Sequence, residues 1–318
     1  MNMLDTASKE RVADHWSANV VGTDAFSPHV YWLAVPAVQR RHQRRACAGE
    51  RGSTWVEYCL KCFLQQNPAS RMLSIGCGSG ALERDLYRLN AFAYCDAIDI
   101  AHTAIDIARR EAASMGADTI DYQVADIEHA DLPRAHYDAV WFNGSMHHIE
   151  QLEAVCERVY LSLKPDGWLF FNEYVGRNHF AFDTVQADAI RHAFALIPRH
   201  MRRSFWGPAF GKVQDVVALP DPREVVRVDP SEAIRSQDIL GVVSKYFHIE
   251  ALNPLGGSLL QFLLHGIAGN FQQDDPQSMR VLQMLFDIED GLIDSGVLQS
   301  DFVVVAAKPK PAHGSGRA

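Results

Sequence analysis

The chain predicts an α/β fold: a seven-stranded, mostly parallel sheet with helices on both faces, carrying a helical N-terminal cap and helical insertions. Three observations predict it. From Arg71 onward, short apolar runs alternate with amphipathic helical patterns, as parallel strands joined by right-handed helical crossovers do. The first of these runs, LSI at Leu73–Ile75, opens through the glycines of GCGSG into a helical pattern. Finally, 318 residues with 47% hydrophobic and 22% charged content are enough to bury one large core.

Each element has its own signal. Residues 1–65 read as a mainly helical cap ahead of the sheet. The core, 66–176, opens with a buried strand at Met72–Ile75 and a helix at Ala81–Leu89. A second strand spans Ala93–Ile100. The next helix places Ile105, Ala108, Ala112 and Met115 on one face and closes at Gly116. Strands follow at Asp121–Ala125 and Tyr137–Phe142. A helix at Glu150–Leu163 is stopped by a turn, Lys164-Pro165-Asp166-Gly167, before the strand Trp168–Tyr174. The alternation then breaks. Residues 177–235, with a helix at Asp183–Ile197 and polar turns, read as an insertion placed to act as a lid. Residues 236–309 return to the core with a helix at Ser236–Phe247 and strands at His248–Leu252 and Asp301–Pro309. Between those two strands a helical insertion at 258–298 packs on the core or on another copy of the chain. Residues 310–318 form a disordered tail.

Charge bounds the partners. Thirty Lys and Arg against 39 Asp and Glu give a net charge of −9, which argues against nucleic acid and anionic membrane. The one basic run, Gln39–Arg45, reads as a solvated helix face. Cys59-x-x-Cys62 lies in a helical run and reads as packing rather than a metal pair. A polar, charged N-terminus and the absence of a long apolar run point to a cytoplasmic protein with reduced thiols.

Ligands of open α/β sheets bind outside the carboxyl ends of the strands. Five such ends carry informative residues here: the glycine loop Gly76–Gly80, Asp99, Asp126, Asn143 and the Asn172-Glu173-Tyr174 run. Turn chemistry explains one acid at a strand end, but not five converging positions. The glycines alone are ambiguous, since Gly76, Gly78 and Ala81 also satisfy the looser dinucleotide fingerprint.

The ordered series LSIGCGSGALERDL, AIDI, VADIEHADLP, YDAVWFNGSMHHIE and LKPDGWLFFNEY resembles the motifs of class I S-adenosylmethionine (SAM)-dependent methyltransferases, over about residues 70–176 and the terminal strands. The resemblance implies a Rossmann-like sheet and SAM as cofactor. It implies that Gly76, Cys77, Gly78 and Gly80 approach the methionine part of SAM, and that Asp99 accepts hydrogen bonds from both ribose hydroxyls. Ile100 would pack on adenine, Asp126 with Ile127 beside it would hold the adenine amino group, and Asn143 would line the methyl path.

The protein chiefly orients and desolvates in such a transfer, and a base is needed only if the acceptor loses a proton. His147, His148 and Glu173 are the candidate bases, and Tyr174 can orient an acceptor. Adjacent side chains on a helix diverge by roughly 100°, so no metal site is expected at the two histidines. Tyr31 and Trp32 in the cap are candidates for binding a cationic group. Arg202, with Arg191, Arg199 and Arg203, is a candidate for binding an acceptor carboxylate. The implied partner is a small-molecule acceptor. Its reactive atom stays open between a thioether, by a looser resemblance to bacterial methionine S-methyltransferases, and a base-assisted oxygen or nitrogen. A macromolecular methyltransferase and a non-catalytic SAM-binding subunit are the competing readings. Acidity, enclosing insertions and the lack of an N-P-P-[YF] motif count against the first.

Overall fold

The structure is a computed structural model that describes residues 8–9, 11–12, 27–64 and 68–311. Parts of the expected cap, and residues 312–318 of the expected tail, lie outside them. The sheet has seven strands: β1 (Ala69–Ile75), β2 (Phe92–Asp99), β3 (Ile120–Val124), β4 (Tyr137–Asn143), β5 (Leu163–Tyr174), β6 (Phe247–Gly256) and β7 (Phe302–Pro309). Their order is β3-β2-β1-β4-β5-β7-β6. All pairings are parallel except those of β7, which runs antiparallel to both neighbours. The order in which the chain adds strands switches from one side of β1 to the other between β1 and β4, and the crevice at that switch point is where an α/β sheet binds its ligand.

Among residues 27–311, as far as they are described, ten α-helices surround the sheet: α1 (Pro36–Ala46), α2 (Trp55–Cys62), α3 (Ala81–Arg88), α4 (His102–Ser114), α5 (Leu152–Ser162), α6 (Thr184–Leu196), α7 (Pro222–Val228), α8 (Ile239–Tyr246), α9 (Leu260–Leu264) and α10 (Pro276–Asp294). Local chemistry sets their starts. Thr54 and Glu57 form a reciprocal capping box on α2, while Asp183 and Asp275 cap α6 and α10.

On one face of the sheet, Leu60, Leu86, Ile105 and Ala108 pack on Met72, Trp141 and Phe170. On the other, Leu152, Val155, Val159 and Val243 pack on Leu73, Val140 and Phe171. A third apolar cluster joins Trp32, Val35 and Val38 to Ile190 and Phe194 of α6, to α9, and to Leu282 and Leu285 of α10. The N-terminal cap and both insertions thus share one helical core, which buries the apolar faces of 258–298.

Two local expectations need correction. The Lys164–Gly167 stretch does not end α5 as a separate turn, because α5 runs directly into β5 at Leu163. Tyr137 pairs with Leu163 and Ala139 with Trp168, so three extra residues bulge out inside the strand. The basic run is not simply a solvated face either. Arg41 is buried and pairs with Glu289 at 2.8 Å and with Asp290, which Arg45 also reaches. Glu289 Oε1 in turn accepts the backbone N–H groups of Gly257, Leu259 and Leu260. Buried Cys59 and exposed Cys62 are both free thiols, in keeping with packing. Among the described residues, no helix is long and apolar enough to cross a membrane.

Glu83, in the first turn of α3, is fully buried and accepts a hydrogen bond from Ser74 Oγ. Burial raises its pKa from an ordinary value of 4.5 to about 7. An acid with a raised folded-state value costs nothing below its unfolded value, and the cost grows as pH rises from the unfolded value to the folded one and then levels off. Glu83→Gln keeps the acceptor for Ser74 and removes the charge. The variant's melting temperature relative to the wild type should therefore rise by several degrees between pH 5 and pH 8. A difference that does not move with pH shows that Glu83 titrates in the fold as it does in the unfolded chain, with its pKa not raised.

Candidate active site

A cavity of about 280 Å³ opens at the carboxyl ends of β1, β2 and β4. Its floor is the glycine loop. Gly76 has φ +68°, and a Cβ there would lie 2.3 Å from Ser145 Cβ, so only glycine lets the first and fourth strand ends meet. Gly78, at φ +52°, has open space where its Cβ would be, and this space belongs to the cavity. Gly80 does not line the cavity. It begins α3 in the left-handed conformation, packed against Tyr122, whose hydroxyl donates to its carbonyl oxygen at 3.3 Å.

Asp99 lines the cavity beside Ile100. Its carboxylate accepts the Gly78 N–H and the Ala101 N–H, both at 2.8 Å, and so ties the β2 end to the glycine loop. Burial raises its pKa, against the pull of those N–H groups. Asp126 and Ile127 line the opposite wall. Three donors already crowd Asp126: the Glu128 N–H at 2.9 Å, and Lys9 Nζ and His129 Nδ1, both at 2.8 Å. Burial pushes its pKa up, but the bonds from Lys9 and His129 outweigh this and hold it below the usual range. Lys9 also reaches Glu128 at 2.7 Å, which brings the N-terminal segment onto the cavity wall. Cys77 and Asn143 line the cavity as well, and Asn143 Oδ1 accepts from Asn172 Nδ2 at 3.2 Å.

The histidines follow β4 on a 3₁₀ turn, Met146–His148. They do not diverge as expected: their ring centroids are 4.1 Å apart. Two tethers explain this. His147 Nδ1 meets Glu173 Oε2 at 2.7 Å, and His148 Nδ1 meets Ser231 Oγ at 2.9 Å. Glu173 is itself locked, since its Oε1 accepts the Ser145 and Met146 N–H groups at 2.6 and 2.7 Å. It is buried, with both oxygens engaged, so it positions His147 rather than facing an acceptor. Burial lowers the pKa of His147, but Glu173 outweighs it and the net shift is upward. His148 and Ser231 line the cavity. Beyond them, Glu232 lies 3.9 Å from His147 Nε2 and 4.0 Å from His148 Nε2.

Four expected site residues have structural occupations instead. Tyr174 is buried, and its hydroxyl donates to the Arg177 carbonyl at 3.2 Å. Trp32 packs against His42 and Phe302 in the helical core, with Tyr31 against the same cluster. Arg202 donates to the carbonyls of Ala195 and Ile197 and lies over Phe194, closing the end of α6. None of the four lines the cavity. Conversely, Lys9, Glu128, Ser145, Ser231 and Glu232 carry polar contacts at the site that sequence reasoning missed. Only Glu128 had a signal, two residues past Asp126 in the same motif.

A family model described as "Methyltransferase domain" matches residues 73–171. Among curated relatives, a ubiquinone biosynthesis O-methyltransferase of Paraburkholderia phytofirmans is 27% identical over 187 residues, covering 57% of this chain and 72% of the relative. One from Neisseria meningitidis is 31% identical over 103 residues, covering 32% of this chain and 43% of the relative. A solved geranyl diphosphate C-methyltransferase of Streptomyces coelicolor shares the fold, at 13% identity and a TM-score of 0.53, covering 97% of this chain and 100% of that one. The matched segment runs from β1 through the glycine loop to β5 and frames the cavity, so the chain carries a SAM-dependent methyltransferase domain at residues 73–171.

Proposed function

We propose that the chain is a small-molecule O-methyltransferase, and that Gly76, Cys77, Gly78, Asp99, Ile100, Ile127 and Asn143 hold the cofactor. The cavity fits this assignment: glycine backbone approaches it without side chains, and the Asp99 carboxylate faces ribose-sized space with lone pairs beyond its two N–H partners. SAM supplies a methyl group on a sulfonium, and its departure as a neutral thioether balances formation of the new bond.

One observation carries the choice of oxygen. The buried Glu173–His147 pair stands behind His148, which lines the cavity. Such a cluster serves an acceptor that must lose a proton. The hydroxyl proton passes to His148, while Glu173 fixes His147 and Ser231 fixes His148 in one orientation. A thioether has a free lone pair, so methionine S-methylation would leave this cluster without a part in the reaction. The curated relatives named above are O-methyltransferases by name, which supports the same reading. The partner is a small hydroxylated acceptor rather than nucleic acid or membrane, in line with the net charge of −9.

The test is mass spectrometry of reactions with methyl-labelled SAM and a panel of phenols, alcohols, amines and thioethers. The expected product is a labelled neutral methyl ether. A product with a fixed positive charge, from a thioether or a tertiary amine, overturns the assignment.

A further inference from the structure

We propose that His147, His148 and Glu232 are the protein ligands of a divalent transition-metal ion, with Zn²⁺ best suited to the donor set. One ligand atom from each lies within 4.8 Å of the other two. The far side of each ring is already secured, which is how metal-binding imidazoles are held. His147 Nδ1 is bonded to Glu173, a carboxylate fixed by two backbone N–H groups. His148 Nδ1 is bonded to Ser231 Oγ, whose own partner is Asp229 at 2.7 Å. Both Nε2 atoms are thereby turned toward one carboxylate.

The spacing is informative. Glu232 stands 3.9 and 4.0 Å from the two Nε2 atoms, too far to hydrogen-bond either. A Zn²⁺ ion with bonds of about 2.0–2.2 Å to nitrogen and oxygen would separate such atoms by roughly 3.4 Å at a tetrahedral angle. The three ligand atoms now lie within 4.8 Å of one another, so small side-chain rotations would bring them to that arrangement. Charge favours it too. Among the described residues, Glu173 and Glu232 make their ion pairs with these two histidines, so two acids gather around groups that are neutral unless protonated. A divalent ion offsets that charge. Two histidines and one glutamate leave a position open, and His148 sits on the cavity wall.

The ion's use, though not its binding, rests on the proposed O-methylation. With the ion bound, His148 Nε2 would be a ligand and not the base, so the acceptor oxygen would take the open position, release its proton to solvent and be held as an oxyanion toward the methyl group.

The experiment uses the full chain, stripped with a chelator and titrated with Zn²⁺ by calorimetry and with Co²⁺ by visible absorption. One equivalent is expected to bind. Glu232→Gln and His148→Ala should each weaken it at least tenfold, while circular dichroism and SAM binding show that the variants are folded. Absence of saturable binding overturns the proposal, as does one equivalent bound equally well by both variants. The two readings fail separately. A methyl ether formed undiminished in chelator, with no metal bound, removes the metal and leaves O-methylation standing. Metal bound as expected beside a purely thioether product does the reverse.

Discussion

Asp99→Ala is expected to weaken SAM binding by about 100-fold or more, with the fold retained. In the proposed placement its carboxylate accepts from both ribose hydroxyls, and hydrogen bonds to a charged group contribute roughly 1.5–3 kcal/mol each. The structure adds a second loss. The same carboxylate holds the Gly78 and Ala101 N–H groups at 2.8 Å, so its removal also frees the glycine loop from the end of β2. Asp99→Asn separates the two effects. Its amide oxygen can still accept one N–H, but its NH₂ group faces another donor, so it should lose much of the affinity while disturbing packing less. Calorimetric titration with SAM measures both, and circular dichroism checks the fold. Binding by Asp99→Ala within threefold of the wild type would sink the ribose assignment.

The fold and the strand-end residues that line the cavity are legible in the sequence because they rest on local signals. Apolar runs such as Met72–Ile75 and the glycines after them announce a strand and a turn whatever the rest of the chain does. The acceptor side rests on long-range contacts. Ser231 and Glu232 come from the loop after α7, more than 80 residues from His148, and nothing in the loop's composition marks it. Tyr31 and Trp32 misled for the complementary reason, since adjacent aromatics look alike whether they line a cavity or fill a core. Here the third apolar cluster claims them. The histidine pair shows a further limit. Helical geometry sets where side chains leave the backbone, but the partners Glu173 and Ser231 set where the rings point.

Glu173→Gln is expected to lower kcat by about 10²- to 10³-fold while leaving SAM affinity within about threefold of the wild type. The substitution is nearly isosteric, and the two sides of this residue respond differently. Toward the backbone, the amide oxygen can still accept the Ser145 and Met146 N–H groups that Glu173 Oε1 accepts, so the loop after β4 keeps its path. Toward His147 the polarity reverses. Glu173 Oε2, at 2.7 Å, accepts an N–H from Nδ1 and leaves the Nε2 lone pair facing Glu232 and His148. A glutamine NH₂ can only donate there. It therefore selects the other tautomer, with the proton on Nε2, and removes that lone pair from the cluster. Metal ligation needs that lone pair, and proton transfer needs the His148 ring that packs against His147, so turnover falls under either chemistry. Nitrogen-15 NMR of the imidazoles reads the tautomer directly, and steady-state kinetics with calorimetry read the rest. If Glu173→Gln turns over within threefold of the wild type with the tautomer reversed, His147 has no part in activating the acceptor, and the chemistry must lie with His148 alone.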